Sequence, residues 1–247
     1  NNIGRAGETA LLAMRSRNLV EKKRVDDELN LNEQRLDNKA LASLAQYEKL
    51  DGIISLTLRN NHFDYHGVQE LANSPYLKNL KSLNLMSNAV GDKGLLLLAE
   101  SPNFSQLESL NLENTGITAL GILALSQSPH LTKLKELNLN SNDLGEKGFR
   151  ILADSGNFKN LIKLKTSGVP VGDAGFQAIV QSNTLKQLEE LEAMGNVITR
   201  ESLDSLANSS ILSQLKKLDL RRNKLKDVDL IFLADSPQFQ SLEALRF

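Results

Sequence analysis

Cysteine and tryptophan are absent from the 247-residue sequence, and aromatic residues make up only 4% of it. Without cysteine, the chain has no disulfide bonds and no zinc site built from thiolates, which fits a reducing compartment. With so few aromatic residues, it cannot form an aromatic-rich binding sheet. Apolar residues nevertheless make up 40% of the sequence, which is enough for a large hydrophobic core.

An excess of charge of either sign is also missing, because 29 basic residues face 30 acidic ones. Nucleic-acid binding usually needs a basic excess, so we predict no nucleic-acid partner. The longest apolar run, 94–99, is far shorter than the roughly 20 residues of a membrane span. We therefore predict no membrane insertion.

What the sequence does contain is one motif that returns every 27 residues. The frame L-x-x-L-x-L-x-x-N is clearest at Leu80, Leu83, Leu85 and Asn88. Such a fixed period is the signature of a repeat architecture. Further copies begin at Ile53, Leu107, Leu134, Leu161, Leu188 and Leu215, a weaker one contains Leu29, Leu31 and Gln34, and another starts with Leu242 and Leu245. The Asn position is occupied by Thr115 and Val169 in two copies.

A short helix is predicted after each strand of the repeat. Leu95, Leu98 and Ala99 have the i, i+3, i+4 spacing of one helical face. The sequence Ser101-Pro102 then predicts the end of the helix, because proline cannot continue it. A glycine near the start of five of these helices would let two backbones approach closely, at Gly67, Gly94, Gly121, Gly148 and Gly175.

One unit cannot bury its apolar side alone, but stacked units can, because leucines of successive strands pack on each other and on the helices behind them. Strands lie about 4.8 Å apart and helices are about 10 Å wide, so the stack must curve with the strands inside. The repeat resembles the leucine-rich repeat family, in its helix-containing, ribonuclease-inhibitor-like subclass. That resemblance implies an α/β solenoid, a curved horseshoe with a parallel β-sheet on the concave face and α-helices on the convex face. It also implies that the repeated Asn caps backbone groups in the turn after each strand.

The predicted division of the chain follows the repeat. Residues 26–247 form leucine-rich repeats, about eight units of 27 residues with the last one truncated. Residues 1–25 are either an incomplete repeat or an N-terminal cap helix. The opening letters "NNIGRAG" match the turn and helix start at Asn88, Val90, Gly91 and Gly94, so we expect the chain to be a segment of a longer repeat array.

Candidate catalytic chemistry is sparse. In "HFDYH", His62 and His66 stand four residues apart with Asp64 between them, a spacing that could touch a metal ion. The two histidines straddle a predicted turn, however, so solvated surface positions are the favoured interpretation. No nucleophile triad, metalloprotease motif or calcium loop is present. We expect no catalytic residues, no cofactor and no metal site, and therefore not an enzyme.

Residues that alternate with the buried leucines of each strand are expected to face the concave surface. These positions are mostly neutral and polar in the first half of the chain and strongly charged in the second half, where Thr166 and Val169 also break the repeat frame. Two interpretations stay open: ordinary drift, with opposite charges on adjacent strands pairing with each other, or a docking surface for a partner. The candidate partner-binding residues are Lys163, Lys165, Glu190, Glu192, Met194, Lys217, Asp219 and Arg221.

The resemblance implies a protein-protein interaction module that binds a partner protein on its concave face. The style of the repeat is similar to that of proteins which intracellular bacterial pathogens deliver into host cells, so the partner would be a host protein and the module a secreted effector acting in the host cytosol. The alternative is a substrate-recognition or regulatory segment of a larger enzyme, for example a ubiquitin ligase, whose catalytic domain lies outside this chain. A third possibility is a scaffold within the bacterium.

Overall fold

The computed structural model describes residues 4–235, 237, 239 and 242–247, and within them a first helix and two short strands are followed by alternating helices and strands. Three short 3-10 turns at Glu48–Leu50, Pro102–Phe104 and Gly156–Phe158 lie in return loops. The strands are β1 (Arg24–Val25), β2 (Glu28–Asn30), β3 (Ser55–Thr57), β4 (Ser82–Asn84), β5 (Ser109–Asn111), β6 (Glu136–Asn138), β7 (Lys163–Lys165), β8 (Glu190–Glu192), β9 (Lys217–Asp219) and β10 (Ala244–Arg246). The helices are α1 (Arg5–Lys23), α2 (Asn38–Ala45), α3 (Tyr65–Ala72), α4 (Gly91–Glu100), α5 (Ala119–Ser126), α6 (Gly145–Asp154), α7 (Gly172–Val180), α8 (Arg200–Ala207) and α9 (Asp227–Asp235).

All described strands join one sheet in chain order. Leu83 of β4 pairs with Leu56 of β3 and Leu110 of β5, and the same 27-residue register continues from β2 to β10. These strands are parallel, whereas β1 is antiparallel to β2. The predicted solenoid with a parallel sheet on one side and helices on the other is confirmed.

The core lies between the sheet and the helices. The central leucine of each strand from β2 to β9 is almost fully buried, as are Leu95, Leu98 and Ala99 of α4. Burying one leucine side chain stabilises the fold by about 2 kcal/mol, and the repeat supplies such a residue at the same place in each turn of the solenoid. A second buried series closes the core from the return loops, at Leu77, Phe104, Leu131, Phe158, Leu185, Leu212 and Phe239.

A ladder of buried side-chain amides holds the turns after the strands. Asn88 Nδ2 donates to the carbonyls of Leu58 and Leu85, both at 3.0 Å, and its Oδ1 accepts from the backbone N–H of Asn61. Asn61 and Asn142 repeat the two donations to carbonyls. The cap predicted for this position is therefore observed, and it links each turn to the one before it.

The serine that precedes the expected helix stop has a role that the sequence did not predict. Ser101 Oγ lies 2.7 Å from the carbonyl oxygen of Ala72, near the end of the helix in the preceding repeat. The hydroxyl therefore satisfies a carbonyl that its own helix leaves without a partner. The other pairs of this kind are Ser74 with Ala45, Ser128 with Ala99, Ser155 with Ser126, and Ser182 with Ala153.

The first described helix differs from the others in length. Helix α1 has 19 residues, whereas helices α2 to α9 have 8 to 10. It packs beside α2, where Ser16 and Val20 are buried, and Tyr47 donates its phenolic hydrogen to Glu21 at 2.7 Å. Residues 1–3 of the "NNIGRAG" match lie outside the described residues. The division of the chain at residue 25 stays a prediction.

Candidate partner-binding surface

The concave surface is built from the side chains that flank the buried leucine of each strand. Because the register is constant, equivalent residues of successive strands stand side by side in columns across the sheet. One column contains Ser55, Ser82, Ser109, Glu136, Lys163, Glu190 and Lys217, and a second contains Thr57, Asn84, Asn111, Asn138, Lys165, Glu192 and Asp219. The register therefore places the candidate residues side by side on β7, β8 and β9, with Met194 and Arg221 just beyond the ends of β8 and β9.

The charged residues of these strands pair with each other. Glu190 on β8 lies between two lysines: its Oε2 is 2.9 Å from Lys163 Nζ, and its Oε1 is 2.6 Å from Lys217 Nζ. In the next column, Lys165 Nζ lies 2.9 Å from Glu192 Oε1. We refer to Lys163, Lys165, Glu190, Glu192, Lys217, Asp219 and Arg221 as the charged ladder.

The ion pairs around Glu190 shift the pKa values of Glu190 and Lys163. The hydrogen bonds from Lys217 and then Lys163 hold the pKa of Glu190 below its usual value, against a smaller opposing effect of burial. The hydrogen bond to Glu190 raises the pKa of Lys163. Both shifts favour the charged forms, so Glu190 and Lys163 form an ion pair at neutral pH.

The last ion pair of the charged ladder joins Asp219 and Arg221 at the end of β9. The Arg221 guanidinium contacts both carboxylate oxygens of Asp219, the shortest of these distances being 2.6 Å. This interaction lowers the pKa of Asp219. Asp219 is buried beneath the guanidinium, which stays exposed. Arg221 is therefore the more accessible member of the pair.

The break in the repeat frame is accommodated by hydrogen bonds. Thr166, which stands where the frame expects leucine, is buried, and its Oγ1 donates to the carbonyl of Glu192 at 3.1 Å. Val169, in the Asn position, is buried as well, and its backbone N–H donates to Asn196 Oδ1. Met194 is half-buried near this break, with its backbone N–H donating to Ser167 Oγ. The pairing of opposite charges that one interpretation predicts is observed, while partner binding by these residues stays a proposal.

The neutral half of the concave surface carries potential ligand contacts that the sequence prediction did not select. Asn84 and Asn111 direct their Oδ1 atoms to the backbone N–H groups of Met86 and Glu113. Their Nδ2 groups have no hydrogen-bond partner among the described residues, whereas Asn138 Nδ2 donates to Glu113. The signal in the sequence was the Asn that recurs at this position of the repeat. Only the strand register shows that these residues lie side by side as hydrogen-bond donors.

The two histidines are exposed and flank the N-terminal cap of α3. His66 Nδ1 lies 3.0 Å from Asp64 Oδ1 at the start of α3, and Asp64 also accepts the backbone N–H of His66 as the helix cap. Within the described residues, no group of three or more His, Asp or Glu side chains has the arrangement to hold a metal ion. None of the helices there is both long and apolar enough to span a bilayer.

Comparisons with known proteins agree with this architecture. A family model described as Leucine Rich repeat matches residues 76–99, 130–150 and 213–234. No curated protein matches the chain. The crystal structure of an internalin from Listeria monocytogenes is similar over 95% of this chain and 74% of that chain, with a TM-score of 0.54 and 20% sequence identity. At this identity the similarity shows a shared fold.

Proposed function

We propose that this chain is a leucine-rich-repeat binding module that holds a partner protein on its concave face. Solenoids of this kind offer extended concave surfaces and are generally used for protein recognition. The observation that carries the proposal is the concave sheet itself. Its columns present the charged ladder and, on β4 and β5, the side-chain amides of Asn84 and Asn111, whose N–H groups have no partner in the described part of the chain.

The charged ladder can contact a partner even though its charges are paired. The side chains of Lys165 and Glu192 are 29% and 32% exposed, and ion pairs with such access to water contribute only about 0–1 kcal/mol each. A partner can therefore exchange these pairs for its own at low cost. The proposed contact residues are the ladder and Met194, with complementary charges on the partner giving specificity and orientation.

A finer proposal concerns the identity of the partner. The style of the repeat supports a bacterial effector whose partner is a host protein. The similarity to the Listeria internalin is at the level of fold and does not extend to what either protein binds. Capture from eukaryotic and bacterial lysates separates a host partner from one within the bacterium.

The test of the binding surface is a pair swap. Exchanging both residues, Lys165→Glu with Glu192→Lys, keeps the ion pair and inverts the charge pattern that a partner meets. A matched control is the swap Arg59→Glu with Glu33→Arg, because the Arg59–Glu33 pair has the same 2.9 Å separation and lies at the opposite end of the sheet. The wild type and both swaps are immobilised and offered each lysate.

The proposal expects a protein captured by the wild type and the control, with at least about tenfold weaker capture by the Lys165–Glu192 swap. If only the control swap fails to capture the protein, the binding face lies on the first strands instead. Equal capture by all three proteins would exclude the charged ladder as the contact surface. Capture of no protein by the wild type from either lysate would contradict a protein-binding function.

A further inference from the structure

Helix α5 lacks the polar outer face that a surface helix normally has. Its sequence is ALGILALS, and Leu120 on its outer side is 61% exposed while Leu123 and Ala124 are half-buried. Helix α3, one repeat further away, instead presents His66 and Gln69 to solvent. A helix that is apolar on all sides is typical of a buried position, so the outer side of α5 indicates a surface that another molecule covers.

The apolar surface extends onto the two adjacent helices. Leu96 of α4 is 46% exposed, and Leu97 of α4 and Ile151 of α6 are half-buried beside α5. With helices about 8–10 Å apart, the group covers on the order of 300 Å², the size at which an apolar patch on a monomer is often functional. We define the convex patch as Leu96, Leu97, Leu120, Leu123, Ala124 and Ile151.

Charged residues of opposite sign lie at opposite ends of the convex patch. Lys93 and Lys147 stand at the N-terminal ends of α4 and α6, and Glu100 and Asp154 stand at the C-terminal ends of the same helices. Lys147, Glu100 and Asp154 are exposed and have no ion-pair partner within the described chain, and Lys93 lies 5.1 Å from the centre of the Tyr65 ring. On each helix the two charges are seven residues apart, which is about 10 Å along the axis.

We propose that the convex patch is a self-association surface that a second copy of this chain covers through a twofold axis. A rotation of 180° about an axis across the helices places α4 antiparallel to α4 of the other copy and α6 antiparallel to α6. Lys93 then faces Glu100 of the second copy, Lys147 faces Asp154, and the leucines meet between them. The antiparallel helix dipoles are favourable as well, and a contact between identical patches must have this self-complementary order.

The size of the surface sets the strength of the contact. Three helices with their bordering charges offer about 450 Å² per copy, or about 900 Å² in total, which is below the roughly 1,200–2,000 Å² of stable interfaces. The dimer is therefore weak and depends on concentration, with a dissociation constant expected between about 10 µM and 1 mM. The concave face stays open in this arrangement, so self-association does not depend on the proposed partner binding.

Sedimentation equilibrium from about 5 µM to 1 mM measures the association directly. The wild type is expected to show a monomer–dimer equilibrium, and Leu120→Glu is expected to stay monomeric throughout. Ile231→Glu is the matched control, because Ile231 of α9 is also 61% exposed but lies outside the convex patch. Circular dichroism and the Tm verify that each variant is folded.

A charge exchange tests the geometry of the dimer. Lys147→Glu is expected to weaken dimerisation about tenfold because it faces Asp154 of the other copy, and adding Asp154→Lys to the same chain is expected to restore the affinity to within about threefold. The proposal would be overturned if the wild type is monomeric at 1 mM, or if Ile231→Glu rather than Leu120→Glu abolishes dimerisation. It would also be overturned if the double variant dimerises no more tightly than Lys147→Glu alone.

Discussion

At the residue scale, the fold depends on polar side chains that satisfy buried backbone groups. Asn88 makes three such hydrogen bonds, whereas Thr115, in the same position of the next repeat, makes one donation from its Oγ1 to the carbonyl of Leu112 at 2.6 Å. A buried polar group left without a partner costs about 1–3 kcal/mol. The two positions should therefore differ in importance although both are buried.

We predict that Asn88→Ala lowers the free energy of unfolding by about 3 kcal/mol and that Thr115→Ala lowers it by about 1 kcal/mol. The first change removes three hydrogen bonds and leaves the Leu85 carbonyl and the Asn61 N–H without a side-chain partner. The second removes one hydrogen bond to the Leu112 carbonyl, which still accepts from Asn142 Nδ2 at 2.8 Å. Urea denaturation of the two variants measures both values. Equal losses of unfolding free energy would show that the Asn88 amide contributes no more to stability than the Thr115 hydroxyl.

At the element scale, helix packing in α3 to α7 depends on a glycine near the start of the helix. In α6, a Cβ atom added to Gly148 would lie 2.9 Å from Leu144 Cβ and 3.4 Å from Ala119 Cα of α5. Neither of these atoms is the far end of a flexible side chain. The close approach predicted from the repeated glycine is therefore confirmed, and it holds the helix near its neighbour.

We predict that Gly148→Ala lowers the free energy of unfolding by about 1–3 kcal/mol, because overpacking here outweighs the better helix propensity of alanine. The control is Gly156→Ala in the following return loop, where an added Cβ would meet no atom within 4 Å. That change is expected to stay within about 0.5 kcal/mol of the wild type. Thermal and urea unfolding measure both, and an unchanged Gly148→Ala variant would contradict the packing assigned to this glycine.

At the scale of the whole molecule, the charged ladder couples strands that are far apart in sequence. Glu190 joins β7 and β9 through Lys163 and Lys217, and its pKa is lowered by these two hydrogen bonds. A lowered pKa in the folded state means that the contribution to stability is complete above the unfolded value of about 4.3 and is lost as the pH falls through the folded value. The ladder therefore weakens in acid.

We predict that Glu190→Gln lowers the free energy of unfolding at pH 7 by about 1 kcal/mol or less, and that this difference from the wild type shrinks towards zero at pH 3. Urea denaturation at pH 7, 5 and 3 measures the difference. Glu70→Gln on α3 serves as the control, because Glu70 forms no ion pair with the described residues. A difference for Glu190→Gln that stays constant from pH 7 to pH 3 would exclude the ion pairs as its cause.

Most of the architecture could be predicted from the sequence because the repeat is local and regular. The 27-residue spacing of residues such as Leu56, Leu83 and Leu110 predicts both the core and the strand register, since only stacked units can bury them. The difference between strand and helix widths adds the curvature. These are properties of each position in a repeat, so the sequence alone determines them.

Only the tertiary structure determined which neighbouring side chains pair with each other. Lys163 has Glu136 on one side and Glu190 on the other, and it pairs with Glu190 while Ser109 donates to Glu136 at 3.2 Å. The convex patch likewise exists because the outer residues of three helices become adjacent. Both outcomes depend on distances and side-chain directions between repeats, which a one-dimensional pattern does not contain and which the packed solenoid fixes.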